Sequence, residues 1–334
     1  MIEKCEVRVL SPEEYGEWDE LVASSIQGSL FSTTLWMRGM REVTGKEFRI
    51  YGCYDKGKLL GGVALQVFNK GPFSVGTMPK LTPFTGFIIA PQETHKLSNQ
   101  ELTRKTIMDS LSDRLRNDLS WVFFANHPSL RDLRPLKWKG WSVGVNHTYY
   151  VDLTDMERLW NSVDRNVRTQ IRKAEALGMR VVAGEDISLF YKIYRETFSH
   201  KGLPVPARQE TVRQVYSLLR EQGLAKLYLG EDSSGKAVSA YICIWDSRRG
   251  YFWVGGTEPE SRSTQITTLV YWSILKDMSG FLPAVDLSGG NTPAIARFQR
   301  DFASSLEPYY QVEHSSLGAR VAQNLYARVR RRTG

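Results

Sequence analysis

The chain has 334 residues, 42% of them apolar and 24% charged, so it can bury a large core and intrinsic disorder is not expected. Its net charge of +8 favours anionic partners such as phosphate-bearing metabolites, RNA or an anionic membrane surface, without choosing among them. No apolar run is long enough to span a bilayer, and the three cysteines lie far apart without metal-ligand spacing. We therefore expect two domains in the reducing cytoplasm, with peripheral membrane association left open.

The first half of the chain predicts a pair of helices followed by strands. A helix that begins with a capping box is expected over 12–22, and a second helix over 34–45. The runs FRIYGCYD and LLGGVALQVF then predict a hairpin, and the Gly- and Pro-rich segment 71–91 predicts a long loop with one short strand. A helix over 99–117 and the strands WVFFA and HTYYVDL complete this half.

The second half repeats this order of elements. Two helices over 187–199 and 209–222 lead to the strands AKLYLGED, AVSAYICIW and GYFWVGG. A helix over 264–278, the strand PAVDL, a glycine-rich turn and a helix from Pro293 follow. The segments YGCYDKGK and YLGEDSSGK are the clearest matches between the halves, so we interpret the chain as an internal repeat.

This order is that of the GNAT-like acyltransferase fold. The prediction is an α+β protein with two tandem GNAT-like domains, 1–150 and 151–310, each a mixed, mostly antiparallel sheet flanked by helices. The segment 311–334 is expected to contain a helix that packs on the first domain. No Ser- or Gly-rich linker separates the halves, so we expect a tight interface with a cleft between them.

The stretch 156–177 has the strongest helical pattern in the chain. Apolar residues recur every three or four positions, Thr154 and Glu157 have capping-box spacing, and Gly178 follows the last apolar residue. One continuous helix is therefore predicted. Its second face carries a cationic stripe formed by Arg165, Arg168 and Arg172. This stripe is either a solvated surface or a binding face.

The string Arg-Asn-x-Arg-x-x-Ile-Arg-Lys-Ala-Glu-x-x-Gly in this stretch resembles the signature of the Fem family of peptidoglycan aminoacyl transferases. The resemblance covers nearly the whole chain in length and element order, without the coiled-coil arm of some members. It implies an enzyme without cofactor that forms an amide bond. An amine on a cell-wall peptide or amino-sugar precursor would attack the acyl group of an aminoacyl-tRNA. The protein would accelerate this reaction mainly by positioning the two substrates and stabilising the oxyanion.

The segment VDLSGGNTPAIARFQRDF, residues 285–302, strengthens the resemblance. Fem-like proteins carry a similar strand, glycine turn and helix, with a Phe-Lys pair at the reaction centre, whereas this chain has Phe298 and Gln299. Gln supplies no positive charge, so either Arg300 substitutes for the lysine or the chemistry has diverged. Backbone N–H groups near Asn291 could hold an anion, although a tight turn alone explains the glycines equally well. Asp286 is a candidate proton acceptor.

Further substrate-binding candidates lie elsewhere. By resemblance, Arg208 in Gly-x-Pro-x-Pro-x-Arg would contact a diphosphate and Trp36 would line the acceptor cleft, although a surface charge and a core residue are the simpler interpretations. Arg134 and Trp138 lie in a segment similar to one in Fem relatives, and either face a cleft or form a loop ion pair and a lid on the core. Trp253, in the strand GYFWVGG, completes this set.

Two other functions are kept as alternatives. The first is an acyl-CoA-dependent N-acyltransferase of polysaccharide or lipid modification, although the loop GTEPESRSTQITTL lacks the glycines of an acetyl-CoA-binding turn. The second is a non-catalytic module that binds cell-wall precursors or RNA. The five histidines have no metal spacing, and neither a Walker loop nor a Gly-x-Ser-x-Gly elbow is present, so no metal is expected. An anionic precursor and aminoacyl-tRNA are the expected partners, and DNA is not.

Overall fold

The computed structural model describes residues 5–92 and 94–323, which fall into two compact units. Unit 1 contains the chain up to Asn146 together with the residues from Pro308 onward, and unit 2 is the continuous segment His147–Glu307. Within the described ranges, no helix is both long and apolar enough to cross a membrane.

The helices and strands are numbered in chain order. The helices are α1 (Tyr15–Ser24), α2 (Thr34–Thr44), α3 (Leu97–Asp118), α4 (Arg134–Trp138), α5 (Met156–Ser162), α6 (Arg165–Ala176), α7 (Ile187–Ser199), α8 (Gln209–Glu221), α9 (Ile266–Met278) and α10 (Pro293–Arg300). The strands are β1 (Glu6–Val9), β2 (Phe48–Asp55), β3 (Lys58–Lys70), β4 (Phe73–Thr77), β5 (Ile88–Ile89), β6 (Trp121–Ala125), β7 (Ser142–Asp152), β8 (Arg180–Gly184), β9 (Ala225–Glu231), β10 (Ala237–Trp245), β11 (Gly250–Thr257), β12 (Ala284–Asp286) and β13 (Ser305–Ser315).

Unit 1 is a mixed sheet with helices packed on it. Its strands run in the order β1, β2, β3, β4, β6 and β13, all antiparallel to their neighbours except the parallel pair β4 and β6. The apolar stripe of α3 at Ile107, Leu111 and Leu115 is buried in a core shared with β3 and β6. Burial of each such side chain contributes roughly 1.5–3 kcal/mol, so this stripe fixes α3 on the sheet.

Local capping determines the ends of the first two helices. The Ser11 backbone N–H donates to Glu14 Oε2 at 2.9 Å, which forms the predicted capping box at the turn that leads into α1. Thr33 Oγ1 accepts from the Trp36 N–H at 3.2 Å at the start of α2, and Gly45 ends that helix at a φ of +66°. Both predicted helices are confirmed.

The predicted loop over 71–91 is wrong in part. Its short strand is present as β5, but residues 73–77 also form β4, which pairs with β3 on one side and with β6 on the other. The sequence FSVGT is too short and too rich in small polar residues to show a strand pattern. Pairing with two long neighbours stabilises it as a strand nevertheless.

Unit 2 repeats the arrangement of unit 1. Its strands run in the order β7, β12, β11, β10, β9 and β8, all antiparallel to their neighbours except the parallel pair β11 and β12. In each unit a helix pair precedes three antiparallel strands, and a long helix, α3 or α9, leads to the strand that pairs in parallel. The predicted α+β class and the internal repeat are confirmed.

The single helix predicted over 156–177 is wrong, because the chain forms α5 and α6 with a break between them. Val163 is extended and buried, and the Asp164 backbone N–H donates to the Asp301 carbonyl at 3.0 Å instead of continuing the helix. Asp164 Oδ1 then accepts from the Asn166 N–H at 2.7 Å and begins α6. Asp155, rather than the predicted Thr154, caps α5.

The C-terminal part of the chain begins with β13, whose residues pair with β6 from Gln311 opposite Ala125 to Ser315 opposite Trp121. Residues 317–323 are helical. The remainder of the predicted C-terminal segment, 324–334, lies outside the described residues.

Candidate active-site cleft in unit 2

The strands β11 and β12 of unit 2 separate after a short parallel contact. Only Gly250 with Val285 and Tyr251 with Asp286 are paired, after which β12 ends while β11 continues to Thr257. A cleft of about 690 Å³ lies beside this continuation. Its walls come from β11, the end of α7, the start of α9, the turn after β12 and α10.

Two local features of β11 shape the cleft wall. The register with β10 shifts at Trp253, which makes it the extra residue of a β-bulge. A Cβ at Gly255 would lie 2.1 Å from Tyr241 Cδ1, and a Cβ at Gly256 would lie 2.1 Å from Thr197 Oγ1. The two glycines therefore let the Tyr241 ring and the Thr197 side chain lie directly against the strand.

Hydroxyl groups form the polar part of the cleft. Thr257 Oγ1 lies 2.8 Å from Ser239 Oγ and 2.8 Å from Thr267 Oγ1, which makes a continuous hydrogen-bonded chain. Burial raises the pKa of Tyr241 to about 12, and burial also raises the pKa of Tyr271 well above its ordinary value. Both tyrosines are therefore protonated at neutral pH and can donate hydrogen bonds to a ligand.

The charge of the cleft is positive. Lys201 and Arg262 line it, and in the described part of the chain no acidic residue and no histidine lines it with them. No salt bridge or side-chain hydrogen bond joins either cation to another of the described residues. The N-terminus of α9, where Thr267 and Thr268 lie, adds a partial positive charge. The cleft is thus suited to an anionic ligand.

The turn after β12 is held from both sides. Ser288 and Gly289 have positive φ values of 56° and 75°. Asp286 accepts hydrogen bonds from Thr148 Oγ1 and, at 2.8 Å, from the Ser288 N–H. From α10, Gln299 Nε2 donates to the Leu287 carbonyl at 2.8 Å and to the Ser288 carbonyl at 2.6 Å. This double anchoring fixes the turn against the cleft.

The three predicted catalytic residues have different environments. Gln299 lines the cleft and is only 1% exposed, and its Oε1 has no hydrogen-bond partner among the described residues. Asp286 is equally buried but lies behind the turn and does not line the cleft. Arg300 is exposed, outside the cleft, and pairs with Asp301 at 3.0 Å. Their catalytic roles stay predictions, with Gln299 in the best position.

The buried Asp286 carboxyl makes stability depend on pH. Burial raises its pKa from 3.8 to about 6, against the opposing hydrogen bonds from Thr148 and Ser288. The folded state therefore binds the proton more tightly, and the free energy of unfolding should fall by about 3 kcal/mol as the pH rises from 4 to just above 6. Asp286→Asn keeps an acceptor oxygen and should remove this fall. Urea unfolding at pH 4, 5, 6 and 7 measures the free energy of unfolding of both proteins. The same change of this free energy with pH in the wild type and in Asp286→Asn would contradict the role of Asp286.

The predicted substrate-binding residues of the last helix region divide in the same way. Phe298 lines the cleft, with its ring 4.9 Å from that of Tyr271, and Trp253 of β11 also lines it. Asn291 is exposed at the turn, where its Oδ1 accepts from the His147 N–H at 2.7 Å. Asn291 therefore supports the turn and does not line the cleft.

The arginine stripe of α6 contacts α5. Arg168 Nη1 donates to the Trp160 carbonyl at 3.3 Å, and the Arg172 guanidinium lies 5.7 Å from the Trp160 ring. Arg165 is exposed, and none of the three lines the cleft, whereas Gln170 of the same helix does. Arg208 is exposed at the start of α8, where the sequence placed it. The binding roles of these arginines stay predictions.

The predicted residues of unit 1 lie apart from any cavity described for that unit. Trp36 is 1% exposed, its Nε1 donates to Thr82 Oγ1 at 3.0 Å, and its ring meets Phe31 at 4.9 Å. Arg134 pairs with Asp132 at 2.7 Å, and Trp138 is 65% exposed. Trp36 thus packs in the core and Arg134 forms the predicted loop ion pair, whereas Trp138 is too exposed to be the predicted lid on the core.

Several cleft residues were not identified from the sequence. Tyr241, Tyr271, Lys201 and Arg262 come from four separate segments, and none of them belongs to a motif with fixed spacing. The only available signal was the Gly-Gly pair in GYFWVGG, which marks a close approach to the strand.

A family of known proteins matches the segment that contains the cleft. Residues 161–300 match the family model of an acetyltransferase (GNAT) domain, which contains β11, the cleft and the turn after β12. No curated protein sequence matches the chain. The match identifies residues 161–300, the part of the chain that contains the cleft, as similar to an acyltransferase domain of the GNAT type.

Solved structures show a similar fold over more than nine-tenths of the chain. The chain is similar in fold to FemX, at 14% identity, covering 91% of this chain and 96% of that one with a TM-score of 0.71. It is similar to a tandem GNAT protein of the clavulanic acid biosynthesis pathway, at 13% identity, 93% and 98% coverage and a TM-score of 0.55. It is also similar to the C-terminal domain of a putative lysylphosphatidylglycerol synthetase from Agrobacterium fabrum, at 11% identity, 92% and 95% coverage and a TM-score of 0.58. The FemX-like tandem GNAT fold is confirmed.

Proposed function

We propose that the unit 2 cleft holds an acyl group carried by a phosphate-bearing donor and transfers it to a primary amine, so that an amide bond forms. The observation that supports this is the composition of the lining. Lys201 and Arg262 suit phosphate groups, the protonated Tyr241 and Tyr271 suit a developing oxyanion, and no carboxylate of the described chain lines the cleft.

The reaction requires little covalent chemistry from the protein. The amine nitrogen attacks the carbonyl carbon, the new C–N bond forms, and the bond from that carbon to the leaving sulfur or oxygen breaks. The proton lost by the nitrogen balances the step by protonating the leaving group. Tyr241 and Tyr271 can donate to the leaving atom or to the oxyanion, whereas the described lining offers no strong base, so the amine must arrive neutral.

The identities of the donor and of the acceptor form the second part of the proposal. The resemblance of α6 to the Fem signature and the fold similarity to FemX support aminoacyl-tRNA as the donor and a cell-wall peptide or amino-sugar precursor as the acceptor. Arg208 and Arg172 would then bind anionic groups of these substrates. The match to a GNAT acetyltransferase domain supports an acyl-CoA donor instead, so this second candidate is kept.

One experiment distinguishes the two donors from each other and distinguishes acyl transfer from binding without catalysis. The full chain is incubated with acetyl-CoA or bulk aminoacyl-tRNA and with a UDP-sugar-pentapeptide or glucosamine, and mass spectrometry detects amide products. Isothermal titration measures binding of each donor to the wild type and to Arg208→Ala. Product from either donor supports acyl transfer and identifies the carrier. Tight precursor or RNA binding without product would contradict the proposal and favour a binding module.

A further inference from the structure

Gln299 holds a buried, unpartnered hydrogen-bond acceptor in the wall of the cleft. Its side chain is 1% exposed and lines the cleft, and Oε1 has no partner among the described residues. Buried acceptors are usually satisfied, so an unpaired one at a ligand cavity indicates a group that a ligand completes.

The orientation of this amide is fixed by its other end. Nε2 donates to the Leu287 carbonyl at 2.8 Å and to the Ser288 carbonyl at 2.6 Å. If the amide turned over, Oε1 would face two carbonyl oxygens and both hydrogen bonds would be lost. Oε1 is therefore held as the acceptor without any ligand present.

The cleft lining also supplies donors, both from two residues that can only donate and from hydroxyl groups that can donate or accept. Lys201, Arg262 and the protonated Tyr241 offer hydrogens to a ligand. The Gln299 side chain lies near the Tyr271 hydroxyl and partly opposes the rise that burial causes in the pKa of Tyr271, whereas Gln299 Oε1 has no hydrogen-bond partner among the described residues. A ligand that uses both parts of the lining must carry acceptors, such as a carbonyl and phosphates, together with an N–H or O–H for Gln299.

We infer that Gln299 Oε1 accepts a hydrogen bond from the attacking nitrogen and thereby selects primary amines over alcohols at the acceptor position. The inference rests on the proposed acyl transfer. An amine attacks through its lone pair and keeps an N–H for Oε1 until the C–N bond has formed. An alcohol has one proton, which it must release to a base, and an amide oxygen is too weak a base to take it.

Gln299→Lys tests the assignment, because a lysine still donates to the Leu287 and Ser288 carbonyls but has no acceptor. The probes are a UDP-sugar-pentapeptide with lysine at its third position and the same molecule with 6-hydroxynorleucine there. The KM for the lysine form should rise at least about tenfold in the variant, since one hydrogen bond is lost, while donor affinity should not fall, because the added positive charge favours an anionic donor. Gln222→Lys, exposed at the end of α8, is the matched control.

Gln299→Met, which has a similar volume and no polar atoms, is the second variant if the lysine variant does not fold. In the wild type, the kcat/KM of acyl transfer should be at least about tenfold higher for the amine form than for the hydroxyl form, and either variant should reduce that ratio. Equal kcat/KM values for the two forms in the wild type, or an unchanged KM and an unchanged ratio in a folded variant, would overturn the role of Gln299 but leave acyl transfer intact. A wild type that binds neither donor and forms no amide would overturn the proposed function, and this inference with it.

Discussion

Gly255→Ala is expected to reduce the kcat/KM of amide formation by roughly 100-fold, the cost of displacing a group at a reaction centre by about 1 Å. The new Cβ would lie 2.1 Å from Tyr241 Cδ1, so the rigid ring must move away from the strand and carry its hydroxyl with it. The overpacked strand should also lose about 1–3 kcal/mol of stability. Steady-state kinetics and thermal unfolding of the same preparation separate the two effects.

Gly16→Ala is the matched control for this substitution. Gly16 lies on the exposed side of α1, where an added Cβ meets nothing within 4 Å. The same change of residue should therefore leave kcat/KM unchanged and raise stability by about 0.5–1 kcal/mol. If Gly255→Ala were folded and as active as the wild type, the position of Tyr241 would not matter for the chemistry.

Replacing both cleft cations, Lys201→Gln with Arg262→Gln, should weaken donor binding at least about 100-fold. Neither cation is paired with an acidic residue of the described chain, so both are free to contact phosphate, and each charged hydrogen bond contributes about 1.5–3 kcal/mol. The salt dependence of the donor Kd should fall at the same time, because fewer ionic contacts remain to be screened. Isothermal titration of the donor at 50 and 300 mM salt measures both quantities.

The control pair Lys276→Gln with Arg297→Gln removes the same net charge from exposed positions of α9 and α10 that do not line the cleft. It should change donor affinity less than about threefold, as expected for distant screened charges. Equal losses in the two double variants would mean that general charge, and not the cleft, attracts the donor.

The sequence predicted best those elements whose ends are determined locally. The helix α2 begins at a Thr33 cap and ends at Gly45 with a φ of +66°, and both signals lie within the segment itself. Gly178, at a φ of +75°, likewise follows α6 where the pattern placed it. Such residues act on their own backbone, so a single sequence contains the necessary information.

Elements determined by distant partners were predicted less well. The break between α5 and α6 depends on a hydrogen bond from Asp164 to Asp301, far along the chain, while the apolar periodicity continues across it. The strand β4 depends on pairing with β3 and β6, and its own five residues carry little signal. In both cases tertiary contacts outweigh local propensity.

The candidate site shows the same division. Phe298 and Gln299 could be identified because they lie in one contiguous segment that resembles a known motif, and both line the cleft. Tyr241, Tyr271 and Lys201 come from different elements that only the folded sheet brings together. The resemblance did not predict that Arg300 is exposed and forms an ion pair with Asp301.

The pairing of β6 with β13 has a consequence for biosynthesis. Trp121 of β6 donates a hydrogen bond to Glu313 of β13, and the two residues are 192 positions apart in the chain. At about 5–20 residues per second, a ribosome needs roughly 10–40 s to cover that distance. Throughout this interval the apolar strand WVFFA is an uncovered sheet edge, the kind of surface on which chains aggregate. Binding by a chaperone during translation would protect unit 1 until its last strand emerges.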